Sequence, residues 1–86
     1  MVRVFLYPPF SYIINQEEVM VPWQEGMTFA GLLRELTGRF PALSGQLFTG
    51  DGQAGAMIIA SGVIVKPTAL VQPDQEVTLV TPVAGG

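Results

Sequence analysis

A single apolar stripe of helical period, set in an otherwise strand-like sequence, is the feature that most limits the folds open to this chain. The stripe consists of Phe29, Leu32, Leu33 and Leu36. These residues recur at i, i+3, i+4 and i+7, which places them on one face of a helix. Thr28 is a favoured N-cap residue, Gly38 suits the position just after a helix, and Pro41 blocks continuation. The pattern predicts one amphipathic helix of about ten residues.

Five short runs around this helix are rich in β-branched and aromatic residues, and each predicts a strand. The runs cover residues 2–7, 18–21, 57–59, 63–65 and 76–80. Pro8-Pro9 ends the first strand, because proline cannot donate to a strand ladder. Ser61-Gly62 is typical of a tight turn and predicts that the third and fourth runs are joined directly.

The order of these elements predicts the fold class. Strand, strand, helix and then strands favour an α+β domain, a mixed sheet of four to five strands with one main helix packed on one face. Residues 10–15 could extend either neighbouring strand. Residues 42–54 are Gly-rich and predict an irregular connection, with a short strand at 46–48. We expect a domain over residues 1–80 and a flexible C-terminal tail over residues 81–86.

The composition argues against several kinds of function. The chain holds neither Cys nor His, which excludes a disulfide framework, zinc sites of the usual ligands and thiolate-bound iron–sulfur clusters. The commonest general base and the most potent nucleophile are missing too, so a self-contained enzyme is the least expected function. The basic residues Arg3, Arg34, Arg39 and Lys66 are scattered, which argues against nucleic-acid binding. No bound cofactor or metal is expected.

The low content of charged residues favours a partner-binding surface. Charged residues make up 13% of the chain and apolar residues 49%. Because an average domain carries about 25% charge, the surface must expose apolar area, which often binds a partner. No apolar run approaches the roughly 20 residues of a membrane span. The N-terminal segment runs straight into a strand pattern and lacks the apolar core of a signal peptide. We expect a cytoplasmic protein without membrane contact.

Alternation along the strands predicts which residues the helix leaves uncovered, because successive side chains of a strand take opposite faces. The uncovered face is expected to carry Arg3, Lys66, Glu76 and Thr78 at one end and Phe5, Tyr7, Ile64 and Val80 nearer the tail. The face packed on the helix is expected to hold Val2, Val4, Leu6, Val63, Val65, Val77 and Leu79. Two interpretations of these exposed apolar residues are open. They are either scattered surface residues, which are normal, or a contiguous docking patch beside the tail.

The sequence closes with Thr81-Pro82-Val83-Ala84-Gly85-Gly86, directly after a strand that is expected in the middle of the sheet. Six extended residues reach about 20 Å, and glycine lacks the Cβ that would keep a chain end out of a narrow channel. A terminal carboxylate is ionised at neutral pH and is a poor electrophile until it is activated. Attachment of AMP from ATP would activate this carboxylate, so that attack by a sulfur nucleophile converts it to a thiocarboxylate. The alternative is a frayed end without function.

Three segments of the chain carry a resemblance to a known family. They are Val2-Arg3-Val4-Phe5-Leu6-Tyr7, the threonine-led helix at residues 28–36, and residues 74–86 with their Pro-Val-x-Gly-Gly end. Together they resemble the ThiS/MoaD sulfur carriers, and they are most similar to the small, sulfur-carrying subunit of molybdopterin synthase. The resemblance implies a ubiquitin-like β-grasp fold, in which the first and last strands lie side by side in the middle of the sheet.

The resemblance also implies partners and a chemistry. An E1-like adenylyltransferase would use ATP and Mg²⁺ to adenylate the Gly86 carboxylate, and a sulfurtransferase would convert it to a thiocarboxylate. Gly85 and Gly86 would carry this chemistry. The large subunit of molybdopterin synthase would then take up the tail. The residues implied in partner contacts are Phe5, Tyr7, Ile64 and Val80 on the uncovered face and Pro82, Val83 and Ala84 in the tail.

Several alternatives remain open at this point. Sulfur carriers for thiamine, cysteine or tRNA thiolation share the fold and the tail. A ubiquitin-like modifier, joined to lysines of other proteins, would use the same activated tail. A β-grasp interaction module with an inert tail is the alternative of another class. In the absence of a partner, a homodimer is one way for so apolar a face to be covered.

Overall fold

The structure, a computed structural model, describes residues 1–48, 50 and 52–81. The strands in this part of the chain are β1 (Val2–Leu6), β2 (Glu18–Val21), β3 (Met57–Ala60), β4 (Val63–Ile64) and β5 (Glu76–Val80). The helices are α1 (Phe10–Ile14), α2 (Phe29–Arg39) and α3 (Ser44–Leu47), with a 3-10 turn at Pro41–Leu43 before α3. Among the residues described, no helix is long and apolar enough to cross a bilayer.

The strands form one mixed sheet in the order β2-β1-β5-β3-β4. The first and last strands, β1 and β5, pair in parallel in the middle, and the other neighbours pair antiparallel. This arrangement confirms the predicted α+β fold, with one main helix on one face of the sheet.

Helix α2 covers that face with the predicted stripe. Phe29, Leu32, Leu33 and Leu36 are all buried. They pack in one core with the inward residues of the strands, among them Val4. The hydroxyl of Thr28 accepts a hydrogen bond from the backbone N–H of Gly31 at 3.1 Å, which confirms the predicted N-cap.

The predicted end of this helix is wrong by three residues. Gly38 lies inside α2, which continues to Arg39 and is capped by Phe40. The stop signal is Pro41, because the residue before a proline is pushed out of the helical region. Phe40 accordingly has φ −128° and ψ 79°.

Two further segments differ from expectation. Residues 10–14 form helix α1, with Phe10 fully buried and Asn15 at a left-handed C-cap. The strand predicted at residues 46–48 is wrong, since Ser44–Leu47 is helical and Phe48 makes only an isolated bridge to Ala54. Leu47 follows Leu43 by four residues, one helical turn, and both are fully buried. Burial of this pair explains why a helix forms there.

The Ser61-Gly62 turn is confirmed. Both residues have positive φ, 53° and 78°, as a two-residue type I′ hairpin turn requires. The turn joins β3 to β4, with Ala60 opposite Val63 and Ile59 opposite Ile64. It therefore fixes the register of the sheet edge that carries Ile64.

Candidate functional site

The sheet face opposite α2 is uncovered in the described structure, and we call it the open face. Strand register assigns to it Arg3, Phe5, Tyr7, Glu18, Met20, Met57, Ile59, Ile64, Glu76, Thr78 and Val80. Their neighbours along the strands, such as Val4, Ile58 and Leu79, point into the core. The open face is thus built by strict alternation.

The middle row of the open face crosses all five strands and begins on β2 with Glu18, which is level with Phe5. Phe5 is level with Thr78, Thr78 with Ile59, and Ile59 with Ile64. Phe5, Thr78 and Ile59 are half-buried by one another and by their neighbours, whereas Ile64 on the edge strand is 66% exposed. From Phe5 to Ile64 the row is therefore a nearly continuous apolar band, interrupted by the Thr78 hydroxyl.

A second apolar row lies at the end of the sheet where β5 leads into the C-terminal tail. The backbone N–H of Tyr7 donates to the carbonyl of Leu79 at 3.1 Å, which holds Tyr7 beside Val80. On the other side Val80 is level with Met57. Tyr7 is 56% exposed although its backbone is fixed. The two rows together place Phe5, Tyr7, Ile64 and Val80 on one face, as the sequence predicted.

The opposite end of the open face is charged. The Arg3 guanidinium lies between two carboxylates, with Nη1 at 3.5 Å from Glu76 Oε2 and Nε at 3.8 Å from Glu18 Oε2. All three side chains are substantially exposed, so each pair contributes little to stability. Glu18 reaches Arg3 from the middle row, and the two carboxylates around one guanidinium leave the surroundings of Arg3 with a net negative charge.

Lys66 lies at the tail end, and the expectation that it shares an end with Arg3 and Glu76 is wrong. Strand β4 runs parallel to β5, because both are antiparallel to β3. The backbone N–H of Val65 donates to the carbonyl of Ile58 at 2.9 Å, which carries the register one residue past β4. Lys66 follows, beyond the level of Ile58 and toward that of Met57. Alternation in the sequence predicts which face of the sheet carries Lys66, but it does not predict the direction of β4.

Two more residues differ from the expected arrangement. Thr78 lies in the middle row and not at the charged end, because it pairs with Phe5 and Ile59. Val63, predicted to pack on the helix, is 58% exposed, since β4 is a two-residue strand at the sheet margin. Val65, in contrast, packs against the core as predicted.

Sequence reasoning missed Met57 and Ile59 as members of the open face. Both are half-buried, and Ile58 between them faces the core. The run Met57-Ile58-Ile59 is apolar throughout, so alternation gave no sign of which residues face outward. The signal is the Ser61-Gly62 turn, which sets Ile59 opposite Ile64 once it is read as a two-residue hairpin.

Shallow depressions on the open face are lined by the same residues. One, of about 510 Å³, lies between Phe5, Ile59 and Thr78 and extends to Glu76. Another, of about 350 Å³, lies beside Phe5 and Tyr7 and reaches Glu17. Both are open to solvent and lack the enclosure of a small-molecule site. They suit side chains of a docking protein.

The remaining predicted site residues, Pro82, Val83, Ala84, Gly85 and Gly86, lie outside the described residues. The structure describes β5 as far as Val80 and the following Thr81. Within residues 1–48, 50 and 52–81, no three acidic side chains come close enough together to hold a metal ion.

Comparisons with known proteins identify relatives of this chain in sequence and in fold. A sequence model described as the ThiS family matches residues 9–86. The crystal structure of SAMP1 from Haloferax volcanii superposes with a TM-score of 0.87 at 23% identity, covering 99% of this chain and 98% of that chain. A second crystal structure, of H. volcanii small archaeal modifier protein 1, has a TM-score of 0.88 at 21% identity, covering 95% and 97%.

A Pyrococcus furiosus protein, provisionally named molybdopterin converting factor, subunit 1, has a TM-score of 0.80 at 22% identity and covers 95% of this chain and 97% of its own. A search of curated proteins found no significant match. The structural likenesses show the ubiquitin-like β-grasp fold. Because the family match spans nearly the whole sequence, the chain belongs to the ThiS family.

Proposed function

We propose that this chain is a sulfur carrier that works as a protein co-substrate, with the carboxylate of Gly86 as its reactive group. The observation that carries the proposal is the position of the apolar rows. The strand that leads into the tail is central, and Tyr7, Val80 and Met57 surround the point where it leaves the sheet. A partner that docks on these residues is positioned to receive the tail.

The chemistry must come from that partner, because the chain has no Cys or His to supply it. An E1-like adenylyltransferase transfers AMP from ATP, with Mg²⁺, onto the Gly86 carboxylate. Hydrosulfide supplied by a sulfurtransferase then attacks the carbonyl carbon. The C–S bond forms, the C–O bond to AMP breaks, AMP leaves, and the product is a thiocarboxylate. Gly85 keeps the end slim enough to enter the enzyme's channel.

The open face supplies the binding energy for this docking. Phe5, Tyr7, Ile64 and Val80 present apolar surface without an enclosed pocket, as a protein–protein contact requires. Met57 and Ile59 complete the same surface. Pro82, Val83 and Ala84 would contact the walls of the channel.

Molybdopterin biosynthesis in the cytoplasm is the pathway we propose. Two observations support it: the Pro-Val-x-Gly-Gly end of the sequence, and the fold shared with the P. furiosus protein named molybdopterin converting factor, subunit 1. In this pathway the large subunit of molybdopterin synthase takes up the tail and a pterin precursor receives the sulfur. Thiamine, cysteine and tRNA thiolation would use the same first two steps.

Intact mass measures the proposed reaction. The protein is incubated with an E1-like enzyme, ATP, Mg²⁺ and a sulfur donor. Exchange of one oxygen for sulfur adds about 16 Da. Omitting ATP or the donor must abolish the gain. No gain with several such enzymes, each active on its own carrier, would instead favour an interaction module with an inert tail.

Protein modification is the second candidate, favoured by the likeness to SAMP1, a small archaeal modifier protein, over nearly the full length of both chains. The activated Gly86 carbonyl would then be attacked by a lysine amine of another protein. A ladder of isopeptide-linked products in cell extract, lost on deletion of Gly85-Gly86, would establish this role. An intact phenotype after the same deletion would count against both roles.

A further inference from the structure

The open face carries opposite charges on opposite sides of Ile59. Glu76 lies at the charged end on β5, whereas Lys66 follows β4 at the tail end. Strand β3 lies between these two strands, and Ile59 lies midway along it. Ile59 is therefore the midpoint between Glu76 and Lys66, both across the strands and along them. An apolar face with this charge pattern can complement itself.

We propose that a second copy of this chain covers the open face when no other partner occupies it, in a two-fold contact centred on Ile59. In such a contact every pair of residues occurs twice, with the copies exchanged. A two-fold axis that lies in the contact plane, passes through Ile59 and runs perpendicular to the line from Glu76 to Lys66 sets Lys66 of each copy opposite Glu76 of the second copy. On the same ladder geometry, Phe5 comes opposite Val80 of the second copy.

The apolar rows therefore meet each other while Lys66 and Glu76 pair on either side of the axis. Arg3 is held between Glu18 and Glu76 within its own chain. The two carboxylates outnumber this guanidinium, so Glu76 remains attractive to Lys66 of the second copy. A net charge of −3 per chain adds only weak repulsion between copies.

The size of the face sets the strength of this contact. Five strands at about 4.8 Å and three rows about 6.8 Å apart span roughly 24 by 20 Å. Because the contact is centred on β3 and not on the middle strand, two copies would bury at most about 1,000 Å², below the roughly 1,200 Å² of a standard stable interface. The dimer is therefore weak and exchanges rapidly with monomer.

A weak dimer has a regulatory consequence, and this consequence alone rests on the proposed function. Docking of an activating enzyme uses the same Phe5, Tyr7 and Val80 surface, so the enzyme must displace the second copy. Self-association thus keeps the apolar face away from unrelated proteins and lowers the rate of activation only at high protein concentration.

Sedimentation equilibrium of the full chain, from micromolar to millimolar concentration at low salt, tests the dimer. We expect a monomer–dimer equilibrium that Ile64→Glu abolishes. Leu70→Glu is the matched control, because Leu70 is 58% exposed against 66% for Ile64 and bridges to Thr28 beside α2, away from the open face. A monomer at every concentration, or a dimer that survives Ile64→Glu, would overturn the proposal.

Charge reversal tests the two-fold geometry. Lys66→Glu or Glu76→Lys alone should raise the dissociation constant about two- to thirtyfold, because each reversal removes two symmetry-related exposed ion pairs. The double reversal should bring it back toward the wild-type value. Glu76→Lys also removes the contact with Arg3 inside its own chain. Because this loss is the same in the single and the double variant, recovery of the dissociation constant in the double variant reports the pair between copies. Additive weakening in the double variant would refute the centre at Ile59, and thiocarboxylate formation can be assayed separately on every variant.

Discussion

The backbone N–H of Tyr7 donates to the carbonyl of Leu79 at 3.1 Å, so the residue just after the first strand is tied to the strand that leads into the tail. Parallel pairing of β1 and β5 makes this bond possible. It fixes the backbone of an exposed aromatic residue where the tail begins. An exposed tyrosine with a fixed backbone is well suited to be an interface anchor, since little freedom is lost on binding.

Tyr7→Ala should weaken docking of the activating enzyme. Truncating an aromatic anchor typically costs more than about 1.4 kcal/mol, so kcat/KM for adenylation should fall about tenfold or more, mainly through KM. Steady-state release of pyrophosphate measures it. Tyr12→Ala is the matched control, because Tyr12 is 78% exposed on α1, outside the open face. Equal losses in both variants would show that Tyr7 is not a specific anchor.

Thr28→Ala should destabilise the fold without altering the open face. The Thr28 hydroxyl accepts from the Gly31 N–H at the start of α2, and loss of an N-cap costs about 1 kcal/mol. For a domain of this size the melting temperature should drop by roughly 4–8 °C. Thr37→Ala is the control, since Thr37 lies near the end of the same helix and bonds only to the Arg34 carbonyl. A larger drop for Thr37→Ala would contradict the cap.

Gly38→Ala and Gly62→Ala should change stability in opposite directions. Both glycines have open space where a Cβ would stand, but only Gly62 has positive φ, 78°. Alanine at position 38 should stabilise helix α2 by about 0.5–1 kcal/mol. Alanine at position 62 should destabilise the hairpin by about 1–2 kcal/mol, because a Cβ is strained in the left-handed region. Urea unfolding of both variants measures the change in the free energy of unfolding. Two changes of the same sign would contradict the turn assignment.

Local patterns predicted a large part of this fold. The stripe from Phe29 to Leu36 and the alternation along β1 and β5 gave the helix, the central strands and their faces, because burial on one side imposes those periods. Phe5, Tyr7 and Val80 could be placed on one face for the same reason. The family was also predictable, from the tail and the segments around it.

The errors concern features that depend on distant contacts. Lys66 was assigned to the wrong end because its position depends on the direction of β4 relative to β5. Met57 and Ile59 were missed because their run is apolar on both sides. The helix at Ser44–Leu47 forms because Leu43 and Leu47 find a place in the core, which no short window of sequence shows. Register and burial are properties of the assembled sheet.

The central claim is that sulfur is loaded at Gly86 and nowhere else. After incubation with an activating enzyme, ATP, Mg²⁺ and a sulfur donor, cleavage at glutamate separates a C-terminal fragment of residues 77–86 from the rest of the chain. The account predicts a gain of about 16 Da in that fragment alone, lost when Gly85-Gly86 is deleted. An unchanged fragment, or the same gain elsewhere in the chain, would contradict it.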